Sequence, residues 1–293
     1  MSAKREIASS SAFPNLIIIG AQKCGTTSLH NYLDAHPEIS MSRRKETDFF
    51  LPQNGTWDRG LEWYASHFDP AAPVRGETST AYTNLPASAG TADRIRSVIP
   101  GAKLIYLVRE PLDRMVSHYL HRRALGLERR PLAEALSDER APYVTRSCYA
   151  TQLRPFLELF PREQLLVETQ ERLLRERQTT LRRIFEFLEV DSSFTSAEFD
   201  RTWERSEGKA GLYSLTWRLA KRTRQRGIFL PRVLRWPAQR LLRARAGNRA
   251  VERPVIDEEL RERLQETLRP EIQELRRLTG LELEGWGARS PSA

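Results

Sequence analysis

Short apolar runs alternate along the chain with longer segments in which apolar and polar residues are mixed. Residues 15–20 have the sequence NLIIIG and residues 103–108 have KLIYLV, and both have the length and composition of a buried strand. A third, shorter run covers Leu165 to Val167, and Arg75 to Glu77 is a weaker strand candidate. The pattern therefore predicts a sheet built from short, fully buried strands.

The segments between these runs have helical periodicity, or begin and end at residues that typically bound helices. Predicted helices cover residues 26–35, 87–98, 111–125, 146–159, 178–188 and 256–278, the last interrupted at Pro270. Strands that alternate with helices are typical of an α/β fold with a mainly parallel sheet flanked by helices. We therefore expect that fold class.

Composition agrees with a folded, water-soluble chain. The 293 residues are 40% hydrophobic and 29% charged, which excludes collagen-like and fully disordered proteins. The longest apolar run is far too short to cross a bilayer, and the first residues lack the pattern of a secretory signal. With Cys24 and Cys148 as the only cysteines, a disulfide framework is excluded and a reducing cytoplasm is the expected location.

Positive charge is concentrated in one segment. The net charge is +9, but residues 218–253 alone hold 12 basic residues against one acidic residue, so the rest of the chain has 35 basic and 37 acidic residues. This distribution argues against a nucleic-acid-binding protein. It favours a basic insertion, at about 214–253, that contacts an anionic acceptor or the inner membrane surface, although a solvated basic loop fits equally well. We expect residues 1–13 to be a flexible leader and 14–288 to be a single domain.

The turn after the first predicted strand has the features of a phosphate-binding loop. Residues 20–28 have the sequence GAQKCGTTS, between a strand and a helix start, where free backbone N–H groups attract anions. The glycines have Walker A spacing, but Thr26 replaces the lysine, which lies instead at Lys23. That shift weakens the case for a nucleoside triphosphate with Mg²⁺. The alternative is a strand–helix turn that binds no ligand.

This loop resembles the 5′-phosphosulfate-binding loop of sulfotransferases that use 3′-phosphoadenosine 5′-phosphosulfate (PAPS). Residues 109–119, REPLDRMVSHY, are similar to a second family motif, whose first arginine and serine bind the 3′-phosphate. The resemblance covers most of the chain and implies a P-loop-like three-layer fold, PAPS as the donor and no metal. The donor-binding residues that it implies are Gln22, Lys23, Cys24, Gly25, Thr26, Thr27, Ser28, Arg109, Ser117, Tyr149 and Lys209.

Residues 45–50, KETDFF, are similar to a K-E-x-x-F-F segment of heparan sulfate sulfotransferases and their bacterial carbohydrate-sulfating relatives. In that segment the glutamate is the catalytic base, so the resemblance implies that Glu46 is the base. Lys23 is the second expected catalytic residue, because it would neutralise the charge that builds on the bridging oxygen of the leaving 5′-phosphate. The resemblance also places Lys45, Glu77 and Tyr82 at the acceptor. The family motif G-E-K-[ST]-P-x-Y is altered here, because Thr78 replaces its lysine and Thr80 its proline.

The activity implied is sulfuryl transfer from PAPS to a hydroxyl or amine, with a glycan, a glycolipid or another small molecule as acceptor. Some sulfotransferases use a histidine base, so His118 and His36 are alternatives to Glu46. The other alternative is that Glu46 is an ordinary surface carboxylate. A P-loop kinase or NTPase is the competing enzyme class. A noncatalytic basic module that docks on an anionic membrane or polymer is a third hypothesis. The acceptor and the oligomeric state are left open by the sequence.

Overall fold

Five parallel strands form the central sheet of the computed structural model, which describes residues 12–201, 253–283 and 285–286. The strands are listed in chain order: β1 Leu16–Gly20, β2 Ile39–Met41, β3 Val74–Thr78, β4 Lys103–Val108 and β5 Leu165–Thr169. They lie in the order β2-β3-β1-β4-β5. The predicted α/β fold with a mainly parallel sheet is confirmed, and so are the four predicted strands. β2 was not predicted, since three residues are too few to give a pattern.

β1 lies at the point where the strand order reverses. The chain leaves β1 toward β2 and β3 on one side of it and later forms β4 and β5 on the other side. All five residues of β1 are buried, and Ile17 pairs with Glu77 of β3 and with Leu104 of β4. In open parallel sheets, such a switch point opens a crevice at the carboxyl ends of the strands. The connections that follow β1, β2, β3 and β4 all start at this edge.

Helices flank the sheet and close its core. Their bounds are α1 Thr26–Asp34, α2 Gly60–Ala65, α3 Thr91–Val98, α4 Pro111–Ala124, α5 Leu132–Ser137, α6 Pro142–Thr145, α7 Tyr149–Leu159, α8 Gln170–Arg175, α9 Arg177–Leu188 and α10 Glu258–Thr279. Leu29, Leu153 and Ile184, one from each of α1, α7 and α9, are fully buried. Each of these helices therefore contributes an apolar face to the interior, as its periodicity predicted.

Two helix predictions need correction. The segment predicted as one helix from Arg146 is helical only from Tyr149, after the separate short helix α6. The helix predicted to be interrupted at Pro270 continues through it to Thr279. A proline inside a helix costs roughly 3 kcal/mol, because it lacks an N–H group and clashes with the preceding turn. Leu268 and Ile272, on either side of Pro270, are both buried, and this burial offsets the cost.

The chain divides into two compact units. The first includes the whole sheet and draws on Met1–Pro111, Thr145–Glu204 and Gln265–Ala293, and the second draws on Leu112–Val144 and Arg205–Leu264. In the second unit, Glu128 accepts hydrogen bonds from the Arg130 guanidinium (2.8 Å) and the Tyr143 hydroxyl (2.9 Å). Most of the basic segment at 214–253, and residues 1–11 of the leader predicted at 1–13, lie outside the described residues, so the predictions for both stay predictions.

Candidate active site

The loop after β1 has the geometry of an anion-binding turn. Lys23 and Gly25 have left-handed backbone conformations, with φ of 72° and 90°, and the chain turns there from the strand into α1. Gly25 is the N-cap of α1 and has no side chain with which to cap the first N–H groups of the helix. Those groups and the helix dipole favour a negative charge at this end. Lys23, Gln22 and Thr27 are half-buried around the turn, and Cys24, Thr26 and Ser28 are buried.

Two glycines are required for this turn to pack. A Cβ at Gly20 would collide with the Thr83 hydroxyl, which donates a hydrogen bond to the Ile19 carbonyl at 3.1 Å. A Cβ at Gly25 would lie 3.0 Å from the side-chain amide of Gln170, which follows β5. Glycine at Gly25 also adopts its positive φ without steric penalty. Side chains from two other segments therefore pack closely against the backbone at both ends of the loop.

The connection after β2 brings Lys45 and Glu46 to the start of α1. Lys45 Nζ donates to Thr27 Oγ1 at 3.1 Å and lies 3.6 Å from Glu46 Oε1. Thr80, which follows β3, donates from its hydroxyl to the same carboxylate oxygen at 2.8 Å. The Glu46 side chain is 33% exposed, so it is held by these contacts and is still accessible to a ligand. Sequence reasoning noted Thr80 only as a departure from a motif and missed this contact.

Glu77 and Tyr82, which the resemblance placed at the acceptor, lie in the interior. Glu77 is fully buried at the carboxyl end of β3 and accepts hydrogen bonds from Thr47 Oγ1 and, at 2.8 Å, from the Tyr82 hydroxyl. That hydroxyl accepts in turn from the Phe50 N–H at 3.3 Å. In this structure the two side chains have no exposed surface to offer an acceptor. They fix the segment 46–50 instead, so their effect on Glu46 is indirect.

Burial raises the pKa of Glu77 from 4.5 to about 7, although the hydrogen bonds from Thr47 and Tyr82 oppose the rise. Burial and the nearby Glu46 carboxylate likewise raise the pKa of Asp48 to about 7. Asp48 has a φ of 55°, and its buried Oδ1 has no hydrogen-bond partner. Two carboxyl groups that change charge near neutrality are therefore close to Glu46. Asp48 belongs to the same segment, and Glu77 packs against that segment through Thr47.

Replacing Glu77 with glutamine is expected to flatten the pH dependence of stability. Between pH 4.5 and about 7, the folded protein keeps Glu77 protonated while the unfolded chain releases the proton, so the free energy of unfolding falls as pH rises. A shift of this size corresponds to about 3 kcal/mol. Urea unfolding of wild type and Glu77→Gln at pH 5 and pH 8 measures the difference.

The free energy of unfolding of Glu77→Gln should still fall to a smaller extent as pH rises. We assign this remaining decrease to Asp48, whose pKa is raised in the same direction. The exposed carboxylate of Glu62 provides the control, since Glu62→Gln should reproduce the wild-type profile. An unchanged decline in Glu77→Gln would contradict the assignment, because the titrating group would then lie elsewhere.

Thr78, where the family motif has lysine, faces a neutral partner. Its hydroxyl is 3.0 Å from His30 Nδ1, and both residues are buried. Burial, and then the positive charge of Lys45, lowers the pKa of His30 to about 4. The imidazole is therefore neutral at physiological pH, and this wall of the site lacks the charge that the lysine would bring.

Arg109 and Tyr149 meet on the other side of β1. Arg109 follows β4 directly and is half-buried, and its carbonyl accepts a hydrogen bond from the Tyr149 hydroxyl at 2.8 Å. The same hydroxyl lies 3.6 Å from Cys24 Sγ in the phosphate loop. Arg146 donates to the Gln22 side chain at 2.6 Å. The structure thus joins Arg109, Tyr149 and the loop after β1.

The remaining candidates belong to the second unit, to the packing around α9 or to residues outside the described part of the chain. Ser117 is a buried residue of α4 in the second unit, and Lys209 lies outside the described residues. His118, also in the second unit, is buried against the Tyr143 ring. His36 is buried between Phe185 and Phe194, and its Nε2 lies 3.0 Å from the Asp191 carbonyl. His36 thus belongs to the packing around α9.

The described residues include neither a cluster suited to a metal ion nor a helix suited to a membrane. No group of three or more histidine, cysteine, aspartate or glutamate side chains has the arrangement of a metal site within residues 12–201, 253–283 and 285–286. Across the same part of the chain, none of the helices combines the length and hydropathy that a bilayer span needs.

Comparison with known proteins identifies relatives of one kind. The sulfotransferase domain family matches residues 13–209. The membrane-associated sulfotransferase kil1 of Dictyostelium discoideum is 40% identical over 111 residues, which is 36% of this chain and 22% of that protein. Human bifunctional heparan sulfate N-deacetylase/N-sulfotransferase 3 is 30% identical over 211 residues, 63% of this chain and 23% of that protein. The chain therefore spans less than a quarter of the length of these curated relatives.

One solved structure is similar along nearly the whole chain. A sulfotransferase from Alicyclobacillus acidocaldarius superposes with a TM-score of 0.67 at 24% sequence identity, and the match covers 94% of this chain and 99% of that one. At this level of identity the likeness establishes the fold. The P-loop-like three-layer architecture, with its parallel sheet between helices, is accordingly confirmed.

Proposed function

The chain belongs to the sulfotransferase domain family, and on that premise we propose that it transfers the sulfuryl group of PAPS to a hydroxyl or amine of an acceptor. The observation that carries this proposal is the hydrogen bond from Lys45 to Thr27. It brings the segment with Glu46 to the start of α1, beside Lys23. A carboxylate, an ammonium group and an anion-binding helix end are the groups that such a transfer requires.

The residues of the loop after β1 fit an anionic donor. The N-cap of α1 is a glycine, which offers the first N–H groups no side-chain cap of its own, and its left-handed conformation lets the backbone approach a phosphate group closely. We assign the 5′-phosphate to Gln22 through Ser28, with Cys24 acting through its backbone because its side chain is buried. Arg109 would hold the 3′-phosphate, since a guanidinium presents a charged fork to phosphate oxygens. Ser117 and Lys209 are assigned by resemblance alone.

When bound, PAPS supplies an activated sulfuryl group. Glu46 accepts the proton of the acceptor hydroxyl or amine as that atom attacks. Lys23 stabilises the negative charge that develops on the leaving phosphate oxygen, an electrostatic role that requires no rearrangement at the moment of transfer. Thr80 orients Glu46 through its hydrogen bond to Oε1, and Lys45 keeps the carboxylate paired until the acceptor arrives.

We further propose a carbohydrate acceptor, a glycan or glycolipid, because the segment 45–50 is similar to that of carbohydrate sulfotransferases and human relatives are named for heparan sulfate. With Thr78 in place of lysine and a neutral His30 behind it, the β3 side of the site would contribute no positive charge to an acidic sugar. The proposed location is the cytoplasm of a bacterial cell, where the basic segment 218–253 would contact the inner membrane surface. Cys24 and Cys148 form no disulfide, which supports a reducing compartment.

Calorimetric titration with 3′-phosphoadenosine 5′-phosphate (PAP), the nucleotide product, tests the proposal. PAP is expected to bind without added metal, and at least tenfold more tightly than 5′-AMP, since a charge-assisted hydrogen bond is worth about 1.5–3 kcal/mol. Equal affinity for PAP and 5′-AMP would contradict a 3′-phosphate site. Tight binding of Mg²⁺–ATP with none of PAP would identify a kinase or NTPase, and no nucleotide binding would leave the noncatalytic basic module.

A further inference from the structure

The start of α7 contacts two segments that follow different strands. Tyr149 is the first residue of this helix, and its hydroxyl donates to the Arg109 carbonyl after β4 at 2.8 Å. The same hydroxyl lies 3.6 Å from Cys24 Sγ, and the Cys24 thiol donates to the Gln22 carbonyl at 3.8 Å. One hydroxyl thus joins the loop after β1 to the residue that follows β4.

The Tyr149 ring is held where it can make both contacts. Its side chain is 1% exposed and lies edge-on to Tyr106 of β4, with ring centroids 6.0 Å apart. The Trp286 ring lies 5.9 Å away on the C-terminal segment. A ring packed in this way has little freedom, so the position of its hydroxyl is fixed by the core. The contacts of the hydroxyl then fix the spacing between Cys24 and Arg109.

Arg146 holds the loop after β1 through Gln22. Its guanidinium donates to the side-chain oxygen of Gln22 at 2.6 Å, next to the left-handed turn at Lys23. This contact differs from the two contacts of the Tyr149 hydroxyl in a way that an experiment can use. Loss of the Arg146 contact frees the loop after β1. Loss of the Tyr149 hydroxyl instead leaves the distance between that loop and Arg109 unconstrained.

We propose that Tyr149 is a positioning residue that sets the distance between the 5′-phosphate loop and Arg109, so that the two phosphate groups of one nucleotide are bound cooperatively. This inference rests on the proposed function, because it assigns those two segments to the donor. Tyr149 is buried behind both segments, and its effect on the donor is exerted through Cys24 and Arg109. A nucleotide with one phosphate needs only one segment in place, whereas PAP needs both at a fixed spacing.

The test compares PAP, 5′-AMP and 3′-AMP by calorimetry in wild type and Tyr149→Phe. Phenylalanine keeps the ring packing and removes only the hydroxyl. We expect PAP affinity to fall about five- to tenfold, the worth of a hydrogen bond, while the affinities for 5′-AMP and 3′-AMP each change less than about twofold. In Arg146→Gln, PAP and 5′-AMP should weaken by the same factor and 3′-AMP should be unaffected.

Tyr143→Phe is the matched control. Tyr143 is equally buried, and its hydroxyl also donates a hydrogen bond, to the Glu128 carboxylate, at 2.9 Å. It should leave all three affinities unchanged. Equal losses for the three nucleotides in Tyr149→Phe, or no loss for PAP, would overturn the proposal, and circular dichroism of the variant establishes that it is as fully folded as wild type, so that equal losses are not due to unfolding. A wild-type protein that does not distinguish PAP from 5′-AMP would instead refute the proposed function.

Discussion

Glu46→Gln is expected to lower turnover by roughly 10²–10⁴-fold at saturating PAPS and acceptor, the usual contribution of a general base. Glutamine keeps an oxygen that can accept the hydrogen bond from Thr80, so the local structure should persist. Lys45 retains its contact with Thr27 in the variant, and PAP affinity should therefore stay within about twofold of wild type. The measurement combines steady-state kinetics with calorimetric titration of PAP.

Two further variants make the Glu46 result specific. Glu62→Gln removes an exposed carboxylate from the same connection between β2 and β3, and it should leave turnover unchanged. Glu46→Asp keeps the charge but withdraws it from Thr80, so an intermediate loss is expected. Near-normal turnover in Glu46→Gln would remove Glu46 from the mechanism, and His118 would be the next residue to replace.

Lys23→Ala is expected to reduce both turnover and donor affinity. Loss of a preorganised charge beside the leaving oxygen lowers turnover by about 10²–10³-fold. Loss of a charge-assisted hydrogen bond to the donor weakens PAP binding by about tenfold or more. Lys23 has a φ of 72°, a conformation that is equally unfavourable for lysine and alanine, so the substitution adds no new backbone strain. Kinetics and PAP titration of the same preparation measure the two effects.

Lys103→Ala is the matched control for Lys23→Ala. Lys103 pairs with Glu189 at 2.9 Å at the start of β4, the opposite end of that strand from Arg109, and its loss should leave both turnover and PAP affinity unchanged. The combination of effects separates Lys23 from Glu46, since only the lysine variant should lose donor affinity. Unchanged PAP affinity in Lys23→Ala would place the Lys23 side chain away from the donor.

The two central strands β1 and β4 could be predicted from sequence because they are buried on both faces and appear as uninterrupted apolar runs. NLIIIG and KLIYLV correspond to β1 and β4 within one residue at each end. β2 has only three residues, and its pairing with β3 depends on residues more than 30 positions away, so no local pattern marked it. The helix through Pro270 was misjudged because local propensity argued for a break, whereas burial of Leu268 and Ile272 keeps the helix continuous.

The candidate site was predictable wherever one short motif carries the chemistry. The residues around Lys23, Glu46 and Arg109 were identified in this way, and the structure brings these three segments to the same edge of the sheet. Contacts between segments were not predictable. Thr80 lies 34 residues from Glu46, and its hydroxyl reaches the carboxylate only because β2 and β3 are neighbours. Glu77 and Tyr82 were expected at the acceptor but are found in the interior, because the segment 46–50 contacts both side chains, and such a contact between segments has no local sequence signal.

The position of β1 between two pairs of strands has a consequence for how the proposed site could diverge. The loop after β1 and Arg109 after β4 would hold the nucleotide, whereas the connections after β2 and β3 would face the acceptor. The long connection 42–73 can therefore accumulate insertions or substitutions without altering the nucleotide side, provided that Lys45 still reaches Thr27. A lineage built on this sheet can change the molecule that it modifies while inheriting the same donor unchanged.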